Sequence, residues 1–454
     1  MRRGWVQRAA GWIALIPILL LILVHRSGGA DLLRDSDTAF LLMKVRERHA
    51  PLSWFAGDWP LENHFYRPVA TLFFELDNAL YRDRAWGYGL TNALLVVAGV
   101  IALYALLRRF FSTLGAWTGA TLFALWVLEM APSIDLLGTA AILTAIGLGV
   151  RAKRGVEGVL VALGIWALLV EWDGIESLAG TTLAWLPGRT ATACGLFAIL
   201  ALASYAASVQ FGAEPREPGA VLPTDPPATR NTVVAESRPA LARWLFAGSL
   251  FATFLSLASY EQGVVVPALI FGTGLLLAPR FRVRFGAQSL HWGVLVGYLI
   301  LRAQLVPVAP SGYQRQVIRF GPGVAISLGD YVSPRLGEVT QGYVSLTSGI
   351  EALLVPSAWI ALLNLMSILA LWIVVDRRSR RTMMIWLGMS LVAFLPMAFV
   401  KHFGHYHYLP MAIRTGFLLS AVGGLAGAFR RVATPRSLPA PPRSRPAPGS
   451  LPHL

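Results

Sequence analysis

Long apolar runs are the feature that most constrains what this chain can fold into. A helix needs about 20 apolar residues to cross the hydrocarbon core of a bilayer, and we count twelve runs that approach this length. Hydrophobic residues make up 55% of the chain and charged residues only 14%, against about 25% charged in soluble domains. We therefore predict an all-α polytopic membrane protein with about twelve transmembrane helices. Their approximate limits are 9–25, 87–107, 112–130, 133–150, 156–172, 190–210, 241–260, 263–279, 287–306, 352–375, 382–400 and 409–428.

The distribution of positive charge predicts the orientation. With the N-terminus in the cytoplasm, 24 of the 39 Lys and Arg residues and six of the 24 acids fall on the cytoplasmic side. This asymmetry is the positive-inside pattern of membrane proteins. It predicts a multi-pass protein of the bacterial inner (cytoplasmic) membrane with both termini cytoplasmic. The net charge of +15 is thereby explained without a nucleic-acid partner.

The spans leave few water-facing segments. We predict one membrane domain over 1–430, with extracytoplasmic loops at 25–86 and 307–351 and a flexible cytoplasmic loop at 211–240. The basic, Pro-rich tail over 431–454 lacks aromatic residues and is predicted to be disordered. The alternatives for it are contact with anionic membrane lipids and an unstructured tail with no specific role, of which composition favours the second. A segment at 175–187 is too short to cross unaided and is predicted to be re-entrant or interfacial.

Acids at the predicted extracytoplasmic ends of the spans are candidates for chemistry. Asp35 and Asp37 follow the first span in R-D-S-D-T, and Glu129 and Asp135 flank the turn between the third and fourth. A partly buried carboxylate has a raised pKa and accepts a proton from a hydroxyl or amine. It is also a ligand for a divalent cation such as Mg or Mn, although no metal ligand is assigned. The alternative is that these acids only cap and solvate helix ends.

Arg67, in H-F-Y-R-P, is the best candidate for an anion site, because an arginine fork matches phosphate oxygens. His64 and Tyr66 lie beside it. The alternative is that Arg67 pairs with a loop acid such as Asp58 or Glu62. The following stretch, 69–80, has an apolar stripe at helical spacing and predicts an amphipathic interfacial helix.

A second polar turn, K-H-F-G-H-Y-H-Y, carries Lys401, His405, Tyr406 and Tyr408. His405 and His407 have the spacing of one strand face, but neither a Cys nor a nearby carboxylate completes a zinc site. We favour a cationic, aromatic rim that contacts a phosphate or a sugar.

The order of these motifs resembles that of the GT-C superfamily of membrane glycosyltransferases. The similarity is to the protein O-mannosyltransferase-like branch, its bacterial relatives and the transmembrane-and-TPR mannosyltransferases. The motifs are R-D-S-D-T, F-Y-R-P-V-A-T-L-F-F-E-L-D, W-G-Y-G-L-T-N, A-P-S-I-D-L-L, S-Y-E-Q-G-V-V-V-P-A-L and H-Y-H-Y-L-P. Tyr260 stands where relatives carry lysine, Gly89 where they carry histidine and His405 where they carry arginine.

The resemblance implies a GT-C-like helical bundle with an extracytoplasmic active site. A sugar would pass from a polyprenyl-phosphate-linked donor to an extracytoplasmic protein, lipid or glycan acceptor, with Asp35 or Asp37 as the base. The implied donor and phosphate site consists of His64, Tyr66, Arg67, Glu261, Lys401, His405, Tyr406 and Tyr408. The alternative function is non-catalytic: a membrane protein that binds or transports a lipid-linked or amphipathic ligand.

Overall fold

The computed structural model describes residues 10–26, 29–48, 50–130, 135–176, 182–212, 238–332, 356–401 and 404–434. Regular structure in these residues is helical, apart from one isolated antiparallel bridge between Ile318 and Val400. The predictions that concern 213–237, 333–355 and the tail from 435 onward lie outside the described residues. The same is true of 177–181, the middle of the segment predicted to be re-entrant.

Sixteen α-helices occur in the described residues. The first eight are α1 (Ile16–Val24), α2 (Ser36–Arg48), α3 (Pro68–Tyr81), α4 (Ala85–Leu107), α5 (Thr113–Val127), α6 (Asp135–Arg151), α7 (Gly155–Glu176) and α8 (Arg189–Gly212). The others are α9 (Pro239–Leu257), α10 (Val266–Leu277), α11 (Phe285–Leu305), α12 (Gly312–Val317), α13 (Pro322–Val332), α14 (Pro356–Val374), α15 (Arg377–Ala398) and α16 (Tyr408–Ala433). Short 3₁₀ turns lie at Ala30–Leu33, Pro51–Ala56, Leu186–Gly188, Glu261–Val265 and Gly404–His407.

The helices confirm an all-helical membrane protein. Each of the twelve apolar runs contains one helix, and only α2, α3, α12 and α13 lie outside these runs. Five helical segments are long and apolar enough to cross a bilayer: Ala85–Leu107, Leu186–Gly212, Pro239–Leu257, Arg377–Ala398 and Gly404–Ala433. Shorter apolar helices cover Ala10–Val24, Thr113–Val127, Leu137–Arg151, Gly155–Leu169 and Glu261–Leu277.

The main core lies where α4, α5, α8, α10, α15 and α16 pack together. Close approach between helices depends on small residues: a side chain at Gly99 or at Gly195 would collide with the ring or hydroxyl of Tyr408. Burial of apolar side chains is expected to contribute roughly 25 cal/mol per Å² relative to water. This core fixes the ends of the helices from which the polar residues project.

The first loop, 25–86, folds around a small apolar cluster of its own. Trp54, Trp59 and Phe74 are buried there, packed with residues of α2 and α3. Helix α3 coincides with the predicted amphipathic stretch, and it turns Phe74 and Asp77 inward. Leu76 and Leu80 remain more than half exposed on another face. The loop is therefore a packed cap on the bundle, with one apolar helix face left uncovered.

Candidate functional site

Backbone contacts between the first loop and the bundle explain why Arg67 and Glu261 meet. Arg67 is the residue before α3, which begins at Pro68. The backbone N–H of Val69 donates to the carbonyl oxygen of Ala258, at 3.0 Å. Glu261 opens the 3₁₀ turn that follows a few residues later. The start of α3 is therefore fastened beside the turn between α9 and α10.

Arg67 and Glu261 form a bidentate ion pair. Arg67 Nε donates to Oε1 and Oε2 of Glu261 at 3.1 and 3.0 Å, and Arg67 Nη2 donates to Oε2 at 2.5 Å. The pair is not sealed, because the Arg67 side chain is 10% exposed and that of Glu261 is 27% exposed. Burial opposes the guanidinium charge, but Glu261, Tyr260 and Tyr406 together outweigh it, and the pKa of Arg67 is raised. Arg67 is therefore a permanent cation at a partly open position.

Aromatic rings surround the Arg67 guanidinium. Its Cζ lies 4.0 Å from the ring centroid of Phe65, 4.4 Å from that of Tyr260 and 5.4 Å from that of Trp59. Such contacts between a cation and a ring face stabilise the cation and fix its plane. Tyr260 occupies the position where the resemblance expects a lysine, so a ring contact to Arg67 stands in place of a second cation.

One edge of the Arg67 guanidinium makes no hydrogen bond to the described part of the chain. Glu261 takes the Nε hydrogen and one Nη2 hydrogen, and Arg67 Nη1 makes no hydrogen bond to any described residue. A guanidinium has five N–H groups, so three remain for a ligand. The pairing with Asp58 or Glu62 does not occur: Asp58 accepts from the backbone N–H groups of Trp59 and His64, and Glu62 pairs with Lys44.

The structure gives Asp35 and Asp37 different surroundings. Asp35 Oδ2 accepts from the backbone N–H and the hydroxyl of Thr38, at 3.1 and 3.2 Å, and so caps the start of α2. It also accepts from the indole N–H of Trp185 at 3.1 Å. Asp37 is exposed on the first turn of α2. Burial and the neighbouring Asp35 charge raise the pKa of the Asp37 carboxyl, which favours a proton acceptor over a fixed counter-ion.

A chain of rings connects the Asp35 region with the Arg67 region. The ring centroids of Trp185 and His405 are 4.9 Å apart, and those of Tyr260 and Tyr406 are 6.1 Å apart. His405 and Tyr406 are themselves in edge contact at 4.5 Å. Residues from four separate parts of the sequence therefore form one continuous cluster of rings, which we call the aromatic site.

The other predicted site residues lie at its edge or away from it. Tyr66 is fully buried and donates its hydroxyl to the carbonyl of Phe55 at 2.9 Å. His64 Nδ1 lies 2.8 Å from the Ala309 carbonyl, and Lys401 is exposed, with its backbone N–H bonded to Val317. Tyr408 is buried in the main core, and its hydroxyl has no hydrogen-bond partner among the described residues.

The other two predicted acids, Glu129 and Asp135, are not among the residues that define the aromatic site. Glu129 is an exposed residue at the end of α5, with φ of 58°, and Asp135 is the first residue of α6. Within the described ranges no group of three or more His, Cys, Asp or Glu side chains converges as a metal site. A divalent cation and the proposed base roles of Asp35 and Asp37 stay predictions.

Sequence reasoning missed three contributors. Trp185 fell in the segment assigned to the membrane interface, Tyr313 in an unremarkable loop, and Arg189 at the end of a short apolar stretch. Arg189 forms a fully buried ion pair with Asp77, at 2.7 Å, which joins α3 to α8. The available signal was a charged residue within an apolar run, which is rare and needs a partner.

No family model, no curated protein and no solved structure matches this chain.

Proposed function

We propose that this protein is a GT-C-type membrane glycosyltransferase of the bacterial inner membrane. It moves a sugar from a polyprenyl-phosphate-linked donor to an extracytoplasmic acceptor. The observation that carries the proposal is the Arg67 guanidinium, held on Glu261 along one edge and by aromatic rings around it, with three N–H groups left for phosphate oxygens. The motif resemblance to the protein O-mannosyltransferase-like branch supports the same reading.

In this reaction the acceptor hydroxyl attacks the anomeric carbon of the donor sugar. The bond from that carbon to the phosphate oxygen breaks, and its electron pair leaves with the polyprenyl phosphate. Asp37 takes the acceptor proton, since its surroundings raise its pKa and leave it exposed. Arg67 stabilises the charge that grows on the departing phosphate, which is the step where fixed cations accelerate a reaction most. Asp35 holds Trp185 and the start of α2 in place.

The proposal includes an arrangement in the membrane. We propose that all twelve apolar helices cross the bilayer, with both termini in the cytoplasm and the first loop outside. Helix α3 lies along the interface, with exposed Leu76 and Leu80 in contact with lipid. Because Arg67 immediately precedes α3, a donor whose chain lies in the outer leaflet has a short path from lipid to the proposed phosphate contact. A divalent cation such as Mg or Mn is a further candidate, for which Asp37 would be a carboxylate ligand.

One observation favours the non-catalytic alternative, a protein that binds or transports a lipid-linked ligand. Glu261 already neutralises Arg67, and two positions where the resemblance expects cations carry Tyr260 and His405. A binder would use the same aromatic surface without any proton transfer. The two functions therefore differ in the role of Asp37 and agree on the role of Arg67.

The test is sugar transfer in membranes that contain the full chain and a labelled polyprenyl-phosphate sugar. We expect transfer by the unchanged protein, a loss of at least about 100-fold for Asp37→Asn, and near-normal transfer for Asp35→Asn, because asparagine is also a good helix cap. Transfer that is unaffected by Asp37→Asn would exclude Asp37 as the base. Binding of the labelled lipid without any transfer to envelope proteins, lipids or glycans would favour the alternative.

A further inference from the structure

The segment that follows α11 lies across the first loop and is fastened to it by several hydrogen bonds. Ser311 Oγ donates to the Asn63 carbonyl at 3.1 Å, and Gln314 Nε2 donates to the His64 carbonyl at 3.3 Å. His64 Nδ1 lies 2.8 Å from the Ala309 carbonyl, and since a carbonyl only accepts, this nitrogen carries the hydrogen. Three consecutive contacts thus hold residues 309–314, here called the strap, over residues 63–64.

The residues just after the strap are hydrogen-bonded to the turn that follows α15. The backbone N–H of Lys401 donates to Val317 at 2.8 Å, and that of Arg319 donates to Phe399 at 2.7 Å. Ile318 and Val400 form the isolated bridge between these two contacts. Helix α12 begins inside the strap with a capping box, in which Ser311 and Gln314 bond each other reciprocally. A short helix is therefore fixed between the first loop and the Lys401 turn.

Tyr313 is the aromatic residue that this helix presents to the aromatic site. Its ring meets that of Phe65 edge-to-face, with centroids 6.4 Å apart and planes at 84°, and Phe65 in turn lies against the Arg67 guanidinium at 4.0 Å. Tyr313 is 45% exposed, so packing on Phe65 uses only part of its surface. Its hydroxyl has no hydrogen-bond partner among the described residues and is left for a ligand.

The pKa of the Tyr313 hydroxyl also responds to the charges of both Arg67 and Asp37. Its pKa is raised by burial, lowered by the Arg67 guanidinium and raised by the Asp37 carboxylate. Tyr313 therefore lies within electrostatic range of both Arg67 and Asp37. The sugar of a lipid-linked donor would occupy this same interval, because its phosphate belongs at Arg67 and its acceptor at Asp37.

We propose that Tyr313 is a sugar-binding residue, whose ring covers one side of the glycosyl group and whose hydroxyl hydrogen-bonds one of the sugar hydroxyls. This inference rests on the proposed function and adds a specificity-determining residue to it. Tyrosine suits such a position because it combines a rigid apolar face with a polar tip. The strap acts through Tyr313 as a positioning element, since it fixes the ring against Phe65.

The experiment compares two soluble probes on the purified full chain in lipid nanodiscs. Farnesyl phosphate carries the anion alone, and a panel of farnesyl phosphates esterified with mannose, glucose or galactose adds the sugar. Binding is followed by tryptophan fluorescence, since Trp59 and Trp185 lie in the aromatic site. Tyr313→Phe keeps the ring and removes only the hydroxyl. Tyr81→Phe is the matched control, a tyrosine of the first loop that packs on Trp86 and Tyr88.

We expect the unchanged protein to bind one sugar-bearing probe more tightly than farnesyl phosphate. Tyr313→Phe should weaken that probe by roughly threefold to tenfold, as expected for one hydrogen bond, and should leave farnesyl phosphate within about twofold. Tyr81→Phe should change neither affinity. A sugar preference that survives Tyr313→Phe, or an equal loss for both probes, overturns the role of Tyr313 and leaves the proposed function standing. No preference for any sugar in the unchanged protein overturns both.

Discussion

Two arginine–carboxylate pairs fasten the first loop to the helical bundle, and they differ in how completely the protein surrounds them. In the pair of Arg189 and Asp77, both side chains are fully buried. Arg189 also donates to Asn92 Oδ1 at 2.7 Å and to the carbonyls of Tyr88 and Phe73 at 3.0 and 3.4 Å. Asp77 accepts further from the Thr91 hydroxyl at 2.5 Å. Three of the five N–H groups of this arginine donate to described residues, and its Nη1 also lies 2.7 Å from Asp77 Oδ2.

The pair of Arg67 and Glu261 is built differently. Only two N–H groups of Arg67 are taken, both by Glu261, and aromatic rings rather than polar groups complete its surroundings. The pair is also partly exposed. A fully buried pair is out of reach of a ligand, whereas the partly exposed pair keeps donors available. The comparison assigns structure to Arg189 and Asp77, and recognition to Arg67 and Glu261.

The largest expected effect comes from breaking the sealed pair. Asp77→Ala leaves the Arg189 cation buried without a counter-ion, and such a change costs about 3–5 kcal/mol of folding free energy. Glu261→Ala should cost less, about 1–2 kcal/mol, because Arg67 reaches water. Unfolding of both purified variants by SDS in mixed micelles measures the difference. Equal losses would show that the two pairs do not differ in structural role.

Replacing both members of a pair sharpens the contrast. A buried ion pair contributes little net stability over apolar residues of similar volume, so Asp77→Leu combined with Arg189→Met should recover at least about half of the loss caused by Asp77→Ala. The corresponding replacement, Glu261→Leu with Arg67→Met, should also fold. It should nevertheless bind no farnesyl phosphate, since its donors are gone. The same SDS titration, followed by a binding assay, checks both results, and retained binding would remove Arg67 from the site.

The contrast also shows what the sequence could predict. Helix positions follow from local patterns: the apolar runs locate the bundle helices, and the spacing of 69–80 locates α3. Partners far apart in the chain follow from packing alone. Arg67 and Glu261 are 194 residues apart, and no local pattern joins them; only the motif resemblance placed both in one site.

Asp77 illustrates the limit within one helix. The spacing of 69–80 identifies an apolar stripe but gives no partner for Asp77, which the structure buries completely. The reason is Arg189, which enters from the start of α8 and makes an inward carboxylate favourable at that position. Trp185 and Tyr313 were missed for a similar reason, since each reaches the site from a loop whose path depends on distant hydrogen bonds.

An intermediate effect is expected from changing the chemistry of the open pair while keeping its charge. Arg67→Lys retains a cation but loses the planar fork, so it cannot bond Glu261 and a phosphate side by side. We expect farnesyl phosphate to bind roughly 10-fold to 100-fold more weakly, with unfolding in SDS unchanged. Arg46→Lys is the control, because Arg46 is an exposed arginine of the same loop, paired with Asp83 at 2.7 Å. An equal loss in the control would show a general effect of replacing arginine in the first loop rather than a phosphate site.

The smallest expected effect concerns the proposed base, Asp37, which lies at the opposite end of the site from Arg67. Asp37 has a raised pKa, caused by burial and by the Asp35 charge, and a base is active only when deprotonated. Transfer should therefore be present above this pKa and lost as the pH falls through it. Asp35→Asn keeps a capping oxygen for α2 but removes the like charge. The pKa of Asp37 then falls, and the acidic limb of the rate profile moves to lower pH.

This shift separates an electrostatic role of Asp35 from a catalytic one. High salt screens exposed charges, so the difference between Asp35→Asn and the unchanged protein should shrink at about 1 M salt, while the maximal rate stays similar. Asp83→Asn removes another exposed acid of the first loop and should leave the limb in place. If Asp35 were itself the base, Asp35→Asn would lower the maximal rate at every pH instead of moving the limb. The pH dependence of transfer then decides whether Asp35 or Asp37 is the base that acts together with the Arg67–Glu261 pair.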